Sequence, residues 1–164
     1  MSVRPDLIEC WVFRVSPGGT DTEFLLIRRA ADRIFPGIWQ PVTGRLHPGE
    51  RAPVAARREV AEETGLGGAA VEAMFDLNQV GSFYAEDLDS IVNSVIYAVR
   101  VGATSEARLS SEHDGLEWVS AESAIDRSIW PQYRDSIERI LRLVAEPAWA
   151  RWFELDQDGR RLAR

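Results

Sequence analysis

The chain has 164 residues, of which 45% are hydrophobic and 27% are charged, and its formal net charge is −7. This length and hydrophobic content suit one globular domain with its own core. The negative charge argues against a nucleic-acid-binding surface. The sequence contains no run of about 18 apolar residues, so we expect no contact with a membrane. Since there is also no signal-peptide pattern, we expect a cytoplasmic protein with a small-molecule partner.

The first part of the sequence predicts a β-hairpin. Residues 7–15 and 23–29 are rich in strand-forming residues, and a Gly-rich turn at residues 16–19 separates them. After a loop, the short apolar segment 39–42 leads directly into Gly44. Ligand sites in α/β proteins lie beyond strand ends, so the residues after this segment are candidates for a functional site.

Residues 44–66 predict a loop, a short helix and a second loop. On this helix Glu59, Glu62 and Glu63 share one face, where three carboxylates repel one another unless a cation lies among them. Gly65 suits the left-handed position that ends a helix. Because the candidate ligands are all oxygen atoms, Mg²⁺ or Mn²⁺ is favoured over zinc.

The second half of the sequence predicts three strands and two helices. The strands are expected at residues 69–79, 92–101 and 116–119, and the helices at residues 120–123 onward and 131–146. The polar, acidic segment 82–90 predicts a loop. Since no repeat or linker is present, the pattern indicates one domain in which a mixed sheet lies between helices.

The acidic helix belongs to a longer pattern, G-x5-E-x7-R-E-U-x-E-E-x-G-U, in which U is apolar. Every fixed position is met, by Gly44, Glu50, Arg58, Glu59, Val60, Glu62, Glu63, Gly65 and Leu66. This is the signature of the Nudix hydrolases, which the chain resembles over roughly residues 5–146. The resemblance implies an α/β/α sandwich with a mixed β-sheet and Mg²⁺-dependent hydrolysis of a phosphoric anhydride bond.

The resemblance also implies roles for the residues of this pattern. The implied metal ligands are Glu59, Glu62, Glu63 and the backbone carbonyl of Gly44. Arg58 and Glu50 are expected to orient the ligands, because a guanidinium fork can hold a carboxylate in one geometry. Nudix enzymes differ in which glutamate acts as the base, so that role stays open.

Nudix enzymes commonly recruit a further carboxylate from a later loop. Glu112, just before the last predicted strand, is the candidate ligand and catalytic residue, and Asp114 and Glu117 are the alternatives. A solvated loop acid is the competing interpretation for each of them. His113 is a candidate substrate contact, and His47 could approach a phosphate or simply be exposed.

Three residues before the acidic helix are further candidates for substrate binding. Arg28 and Arg29 could reach phosphates, and Trp39 could stack on a base or pterin. The run WQPVTG at residues 39–44, the SEH at 111–113 and the segment 130–134 are similar to bacterial dihydroneopterin triphosphate pyrophosphatases. We therefore expect a nucleoside or pterin triphosphate to be cleaved to monophosphate and pyrophosphate, with dinucleoside polyphosphates or ADP-ribose as alternatives.

Two other functions on the same fold need comparison. A non-catalytic Nudix ligand-sensing module typically lacks glutamates of the pattern, and none is missing here. A Nudix-type isomerase of isoprenoid diphosphates needs a cysteine in its substrate pocket. The one cysteine, Cys10, lies early in the first strand and is expected in the core.

The sequence divides into a Nudix domain at residues 1–146 and a C-terminal extension at residues 147–164. Trp149, Trp152 and Phe153 give the extension more apolar surface than water tolerates. We expect it to pack on the domain or on a partner subunit, and we expect a homodimer, a common state among Nudix proteins.

Overall fold

The computed structural model describes residues 3–163, which form eight strands and four α-helices. The strands are β1 (Leu7–Val15), β2 (Thr22–Arg29), β3 (Trp39–Gln40), β4 (Val42–Arg45), β5 (Val71–Ala85), β6 (Ser90–Val101), β7 (His113–Ser120) and β8 (Glu154–Leu155). The helices are α1 (Ala52–Thr64), α2 (Ala121–Asp126), α3 (Gln132–Ala145) and α4 (Pro147–Ala150). Among the described residues, no helix has the length and apolar character needed to cross a membrane.

All eight strands belong to one mixed sheet. Six of them follow the order β3-β2-β1-β6-β5-β8, while β4 pairs with β1 and β7 pairs with β2. The β1–β6 pair is parallel and the other pairs are antiparallel. Helix α1 covers one face of the sheet and α3 covers the other. The predicted α/β/α sandwich is confirmed.

Strand alternation divides the core into two layers. On β1, Cys10 and Val12 point toward α1, whereas Trp11 and Phe13 point toward α3. Because Cys10 is fully buried and burial raises the pKa of its thiol, it is a core residue, as predicted.

Local sequence explains both ends of α1. Pro53 lies in the first turn, where its missing N–H would have had no helical acceptor. Gly65 ends the helix with a φ of +71°, and its N–H donates to the Ala61 carbonyl. The buried Ala55 and Ala56 let the helix lie close to the sheet. The predicted short helix and the loops on either side of it are therefore confirmed, except that Gly44 and Arg45 belong to β4.

The predicted loop at residues 82–90 is wrong. Strand β5 continues to Ala85 and β6 begins at Ser90, with Tyr84 paired to Ile91 and Ser82 paired to Asn93. The acidic residues of this segment are confined to a short 3-10 turn, Glu86–Leu88, and the residue after it. Cross-strand pairing of aromatic and β-branched residues outweighs the polar composition on which the prediction depended.

The C-terminal segment folds back onto the same sheet. Strand β8 pairs with Met74 and Phe75 of β5. Trp149 and Phe153, whose ring centroids are 4.4 Å apart, pack against the α3-side core. We propose that the described part of the extension, residues 147–163, is a structural part of the domain, because its removal would uncover this apolar surface.

We expect Trp149→Ala to lower the free energy of unfolding by about 2–3 kcal/mol, because it empties a partly buried aromatic site. The matched control is Trp152→Ala, since Trp152 is 47% exposed in the same segment. Chemical denaturation of both variants provides the measurement. Equal losses in the two would contradict a packing role for Trp149.

Candidate active site

Arg58 connects the acidic side chains around α1. Its guanidinium donates to both carboxylate oxygens of Glu50, at 2.9 Å each, and to Glu59 at 2.7 Å and Glu62 at 3.1 Å. It also donates to the backbone carbonyl of Arg45 at 3.0 Å. One side chain thus links the helix to the loop before it and to the end of β4.

The fork from Arg58 fixes Glu50 as an anion. Its hydrogen bonds, reinforced by one from the His47 backbone N–H at 2.9 Å, lower the pKa of Glu50 to about 2. The His47 imidazole is largely exposed. The Glu50 carboxylate therefore faces the Arg58 guanidinium and not open solvent. This geometry fits the predicted orienting role.

A glycine is needed at position 44 because the Glu59 side chain lies close to it, and not because of its backbone angles. A Cβ atom at this position would overlap Cδ of Glu59. The Glu59 side chain therefore lies directly against the backbone of β4. This contact brings the Gly44 peptide and a predicted ligand carboxylate together at the end of the strand.

Glu63 is the most constrained acid of the helix. It is only 7% exposed, and within the described residues its Oε2 has no hydrogen-bond partner. Burial, followed by the charges of Glu59 and Glu112, raises the pKa of Glu63 to about 8. Burial likewise raises the pKa of Glu59. A buried acid without a partner beside other acids is an arrangement that a cation would stabilise.

The loop before β7 brings Glu112 to this cluster. It crosses the end of α1, where the Ser110 N–H donates to the Glu63 carbonyl at 3.2 Å. The Glu112 carboxylate is about half exposed and lies 3.6 Å from the Arg33 guanidinium. Because its charge raises the pKa of both Glu59 and Glu63, Glu112 is a neighbour of the glutamates on the helix.

The two alternatives to Glu112 have other partners. Asp114 accepts a hydrogen bond from Arg28 at 2.7 Å, and Glu117 accepts one from Arg127 at 2.7 Å. Neither is among the largest causes of the raised pKa of Glu59 or Glu63. The structure therefore favours Glu112 among the three.

His113 and Arg29 form a cross-strand pair beneath the end of α1. The pair lies on the α1 face, because Ile27 and Leu25 of the same strand pack in that core. His113 is buried at the start of β7, not on the loop where it was predicted, and within the described chain neither ring nitrogen has a partner. Burial, followed by the charge of Arg29, lowers its pKa.

Arg28 and Trp39 lie on the opposite face of the sheet. They are cross-strand partners, and the Arg28 guanidinium lies 5.5 Å from the centroid of the Trp39 ring. Gly115 leaves room for both, since a Cβ there would lie 3.0 Å from each side chain. The structure thus brings Arg29, but not Arg28 or Trp39, to the acidic cluster.

The sequence singled out neither Arg33, which lies beside Glu112, nor Glu9, which lies on the opposite face of the sheet. Arg33 pairs with Glu112 across 79 positions of sequence, a proximity that only the fold reveals. Glu9 is a buried acid on the α3 face that accepts a 2.7 Å hydrogen bond from the Trp11 ring N–H. Burial raises its pKa to about 7. An acid inside the apolar run LIECWVF was the available signal for Glu9.

The oxygen atoms around α1 meet only part of the needs of a divalent cation. Within residues 3–163, no three His, Cys, Asp or Glu side chains converge into a complete ligand set. Two of the candidate ligands, Glu59 and Glu62, are hydrogen-bonded to Arg58 instead. The unpartnered oxygen of Glu63 and the close contact between Gly44 and Glu59 nevertheless fit an oxygen-seeking ion such as Mg²⁺. Carboxylates that hold a cation for an anionic substrate are one known use of such an arrangement in hydrolases.

Comparison with known proteins supports this class. The NUDIX domain family matches residues 11–140. Over 104 residues the chain is 34% identical to nucleoside triphosphatase NudI of Klebsiella pneumoniae, a match covering 60% of this chain and 74% of that protein. Over 123 residues it is 36% identical to an octanoyltransferase of Myxococcus xanthus, covering 74% of this chain but 33% of that protein. The chain thus spans about a third of the length of the latter.

Solved structures show the same fold. A C. elegans Ap4A hydrolase aligns with a TM-score of 0.73 and 20% identity over 87% of this chain and 98% of that one. The E. coli dihydroneopterin triphosphate pyrophosphohydrolase aligns at 0.65 with 24% identity over 80% and 92%. The chain therefore belongs to the Nudix family. It is a MutT-like Nudix hydrolase, an enzyme that acts on phosphoric anhydride bonds, as predicted.

We expect Gly44→Ala to weaken Mn²⁺ binding at least about tenfold, because the new methyl group displaces the Glu59 carboxylate. Titration calorimetry with Mn²⁺ measures the change. Gly18→Ala is the control, since a Cβ there would contact only Thr20 at 4.0 Å. Unchanged Mn²⁺ affinity in Gly44→Ala would remove Gly44 from the site.

Glu63 predicts a dependence of stability on pH. Its folded-state pKa of about 8 exceeds the ordinary 4.5, so folding favours the protonated form, and this stabilisation is lost as the pH rises toward 8. In EDTA, Glu63→Gln should melt progressively higher than wild type between about pH 5 and pH 9. The difference should reach a few kcal/mol.

Thermal melts of both proteins across this pH range provide the measurement, with Glu117→Gln as the exposed control. Adding Mg²⁺ at the upper end should raise the melting temperature of wild type more than that of Glu63→Gln. Parallel melting curves for the two proteins at all pH values would contradict the raised pKa.

Proposed function

We propose that the protein is a Mg²⁺-dependent pyrophosphohydrolase that cleaves a nucleoside or pterin triphosphate to monophosphate and pyrophosphate. The observation that carries the proposal is Glu63, a buried acid with an unpartnered oxygen beside Glu59 and Glu112. The ionised form of such a group is unfavourable in the protein alone. It becomes favourable when a cation binds both this carboxylate and an anionic substrate.

The cation would be held by side chains of α1 and of the loop before β7, and by one peptide of β4. Its ligands in this proposal are Glu59, Glu62, Glu63, Glu112 and the Gly44 carbonyl. Bound Mg²⁺ supplies charge neutralisation for the phosphates and a more acidic water. Arg58 and Glu50 maintain the orientation of the carboxylates through the hydrogen bonds they share.

Arg29 and His113 are the proposed contacts to the phosphates. They are adjacent on the sheet face that carries the acidic cluster, and the ring nitrogens of His113 have no acceptor or donor among the described residues. A neutral imidazole can donate one hydrogen bond to a phosphate oxygen. Arg28 and Trp39, on the other face, are assigned to the part of the substrate remote from the reacting anhydride.

A nucleoside triphosphate is the preferred substrate class because of the 34% identity to nucleoside triphosphatase NudI. Dihydroneopterin triphosphate has the same triphosphate chemistry and is supported by the short motifs shared with that subfamily. The likeness to an Ap4A hydrolase at 20% identity concerns the fold, so dinucleoside polyphosphates rank second, together with ADP-ribose. A cytoplasmic location stays a prediction.

A non-catalytic sensing module is the alternative of a different class. All glutamates of the pattern are present, and Arg58 holds three of them, Glu50, Glu59 and Glu62, which favours catalysis. A Mg²⁺-dependent screen over canonical and oxidised dNTPs, dihydroneopterin triphosphate, dinucleoside polyphosphates, ADP-ribose and nucleotide sugars separates these functions. Chromatography of the products should show pyrophosphate release from a triphosphate, whereas no turnover of any compound would favour the sensing module.

The combined substitution Glu62→Gln and Glu63→Gln should lower kcat on the order of 1,000-fold, because it removes two of the proposed carboxylate ligands. The control is Glu117→Gln, the same chemical change at an acid paired with Arg127. Steady-state kinetics with saturating Mg²⁺ gives the comparison. Hydrolysis near the wild-type rate in the double variant would refute the proposed metal ligands.

A further inference from the structure

The hairpin formed by β5 and β6 leaves one strand edge open. Strand β8 pairs with β5 only at Met74 and Phe75. In the part of the chain that the structure describes, residues 80–85 of β5 pair with β6 on one side and with no strand on the other. We refer to residues 80–85 as the open edge.

Residues 80–85 themselves lack the usual protection of an exposed strand, although a bulge of β5 between Asp76 and Gln79 lies directly before them. Natural edge strands carry charges, prolines or bulges that prevent pairing with another chain. Here residues 77–85 (LNQVGSFYA) contain no charged residue and no proline, although 27% of the whole chain is charged. Val80 is 66% exposed, Tyr84 58% and Phe83 47%. Uncharged, apolar side chains thus accompany the free backbone groups.

We propose that the open edge pairs with the same edge of a second copy of this chain. A two-fold axis perpendicular to the sheet makes such pairing antiparallel and places identical residues opposite each other at its centre. Side chains of opposite residues must point to the same face of the sheet, and a register centred on Ser82 meets this condition. In this register, two opposite residues lie equally far from residue 82, one before it and one after it.

This register matches the side chains to one another. It places Val80 opposite Tyr84 of the second copy, an aromatic and β-branched pair of the kind that stabilises sheets. On the other face it places Phe83 over Gly81, where an aromatic ring covers the gap left by a glycine. Both contacts occur twice, because the axis relates the two copies.

The charges flanking the open edge are also complementary. Antiparallel pairing points the hairpin tip, with Glu86 and Asp87, toward the bulged residues 76–79 of the second copy, where the regular ladder ends. Two arginines lie there, since Arg139 donates to the Leu77 carbonyl at 3.1 Å and Arg161 donates to Asp76 at 2.9 Å. In a chain with a net charge of −7, an uncharged edge with an acidic tip facing arginines is where a second copy can approach.

Sedimentation velocity of the full chain over a range of concentrations tests the proposal. Wild type should sediment as a dimer of twice the 18.4 kDa chain mass. Ser82→Lys places two positive charges opposite each other at the axis and should weaken the dimer at least about 100-fold. Thr104→Lys, an equal charge change at an exposed position in the loop after β6, should leave the dimer intact.

A cross-linking experiment identifies the interface independently of any loss of folding. Cys10 is fully buried, so Ser82→Cys introduces an accessible thiol at the centre of the proposed pairing. Mild oxidation should give covalent dimers of Ser82→Cys and none of Thr104→Cys. The proposal is overturned if wild type is monomeric, or if its dimer tolerates Ser82→Lys and Ser82→Cys does not cross-link.

Discussion

Repulsion among carboxylates at the end of α1 is the constraint that organises this protein. Arg58 compensates the charges of Glu50, Glu59 and Glu62 through hydrogen bonds between 2.7 and 3.1 Å. Glu63 lies outside its reach, buried and unpartnered among the described residues. The electrostatic penalty of a buried negative charge is therefore left uncompensated at Glu63. Without a metal ion, the raised pKa keeps Glu63 protonated and so avoids this penalty.

Close packing around α1 makes this electrostatic arrangement possible. Alanines let the helix lie close to the sheet, and Gly44 lets the Glu59 side chain touch the strand backbone. A larger residue at either place would separate the helix from β4. The acids would then be solvated individually, and the shift in their pKa values, which depends first on burial, would be lost.

The two ends of β5 serve different purposes. At its start, β8 and the aromatic residues of the C-terminal segment cover the strand and complete the α3-side core. At its end, the strand extends with β6 beyond the rest of the sheet and leaves apolar side chains exposed. Covering one end by the chain itself and the other by a second copy would remove the exposed edge without added charges.

The fold class and the acidic face of α1 could be predicted from local sequence patterns. The spacing of Glu59, Glu62 and Glu63 is a property of one helix, and helical geometry alone places them on one face. The helix end at Gly65 is likewise decided within a few residues. Local signals of this kind need no knowledge of distant contacts.

The tertiary structure was needed to decide which candidates lie near the acidic cluster. Among the acids it favours Glu112 over Asp114 and Glu117, and between the two arginines it favours Arg29 over Arg28. Strand register and a bulge between Arg28 and Arg29 decide which face each side chain occupies. The length of the β5–β6 hairpin and the return of the C-terminal segment also depend on pairing between distant residues. Because one position of register reverses the face of a side chain, the sequence could not decide these placements.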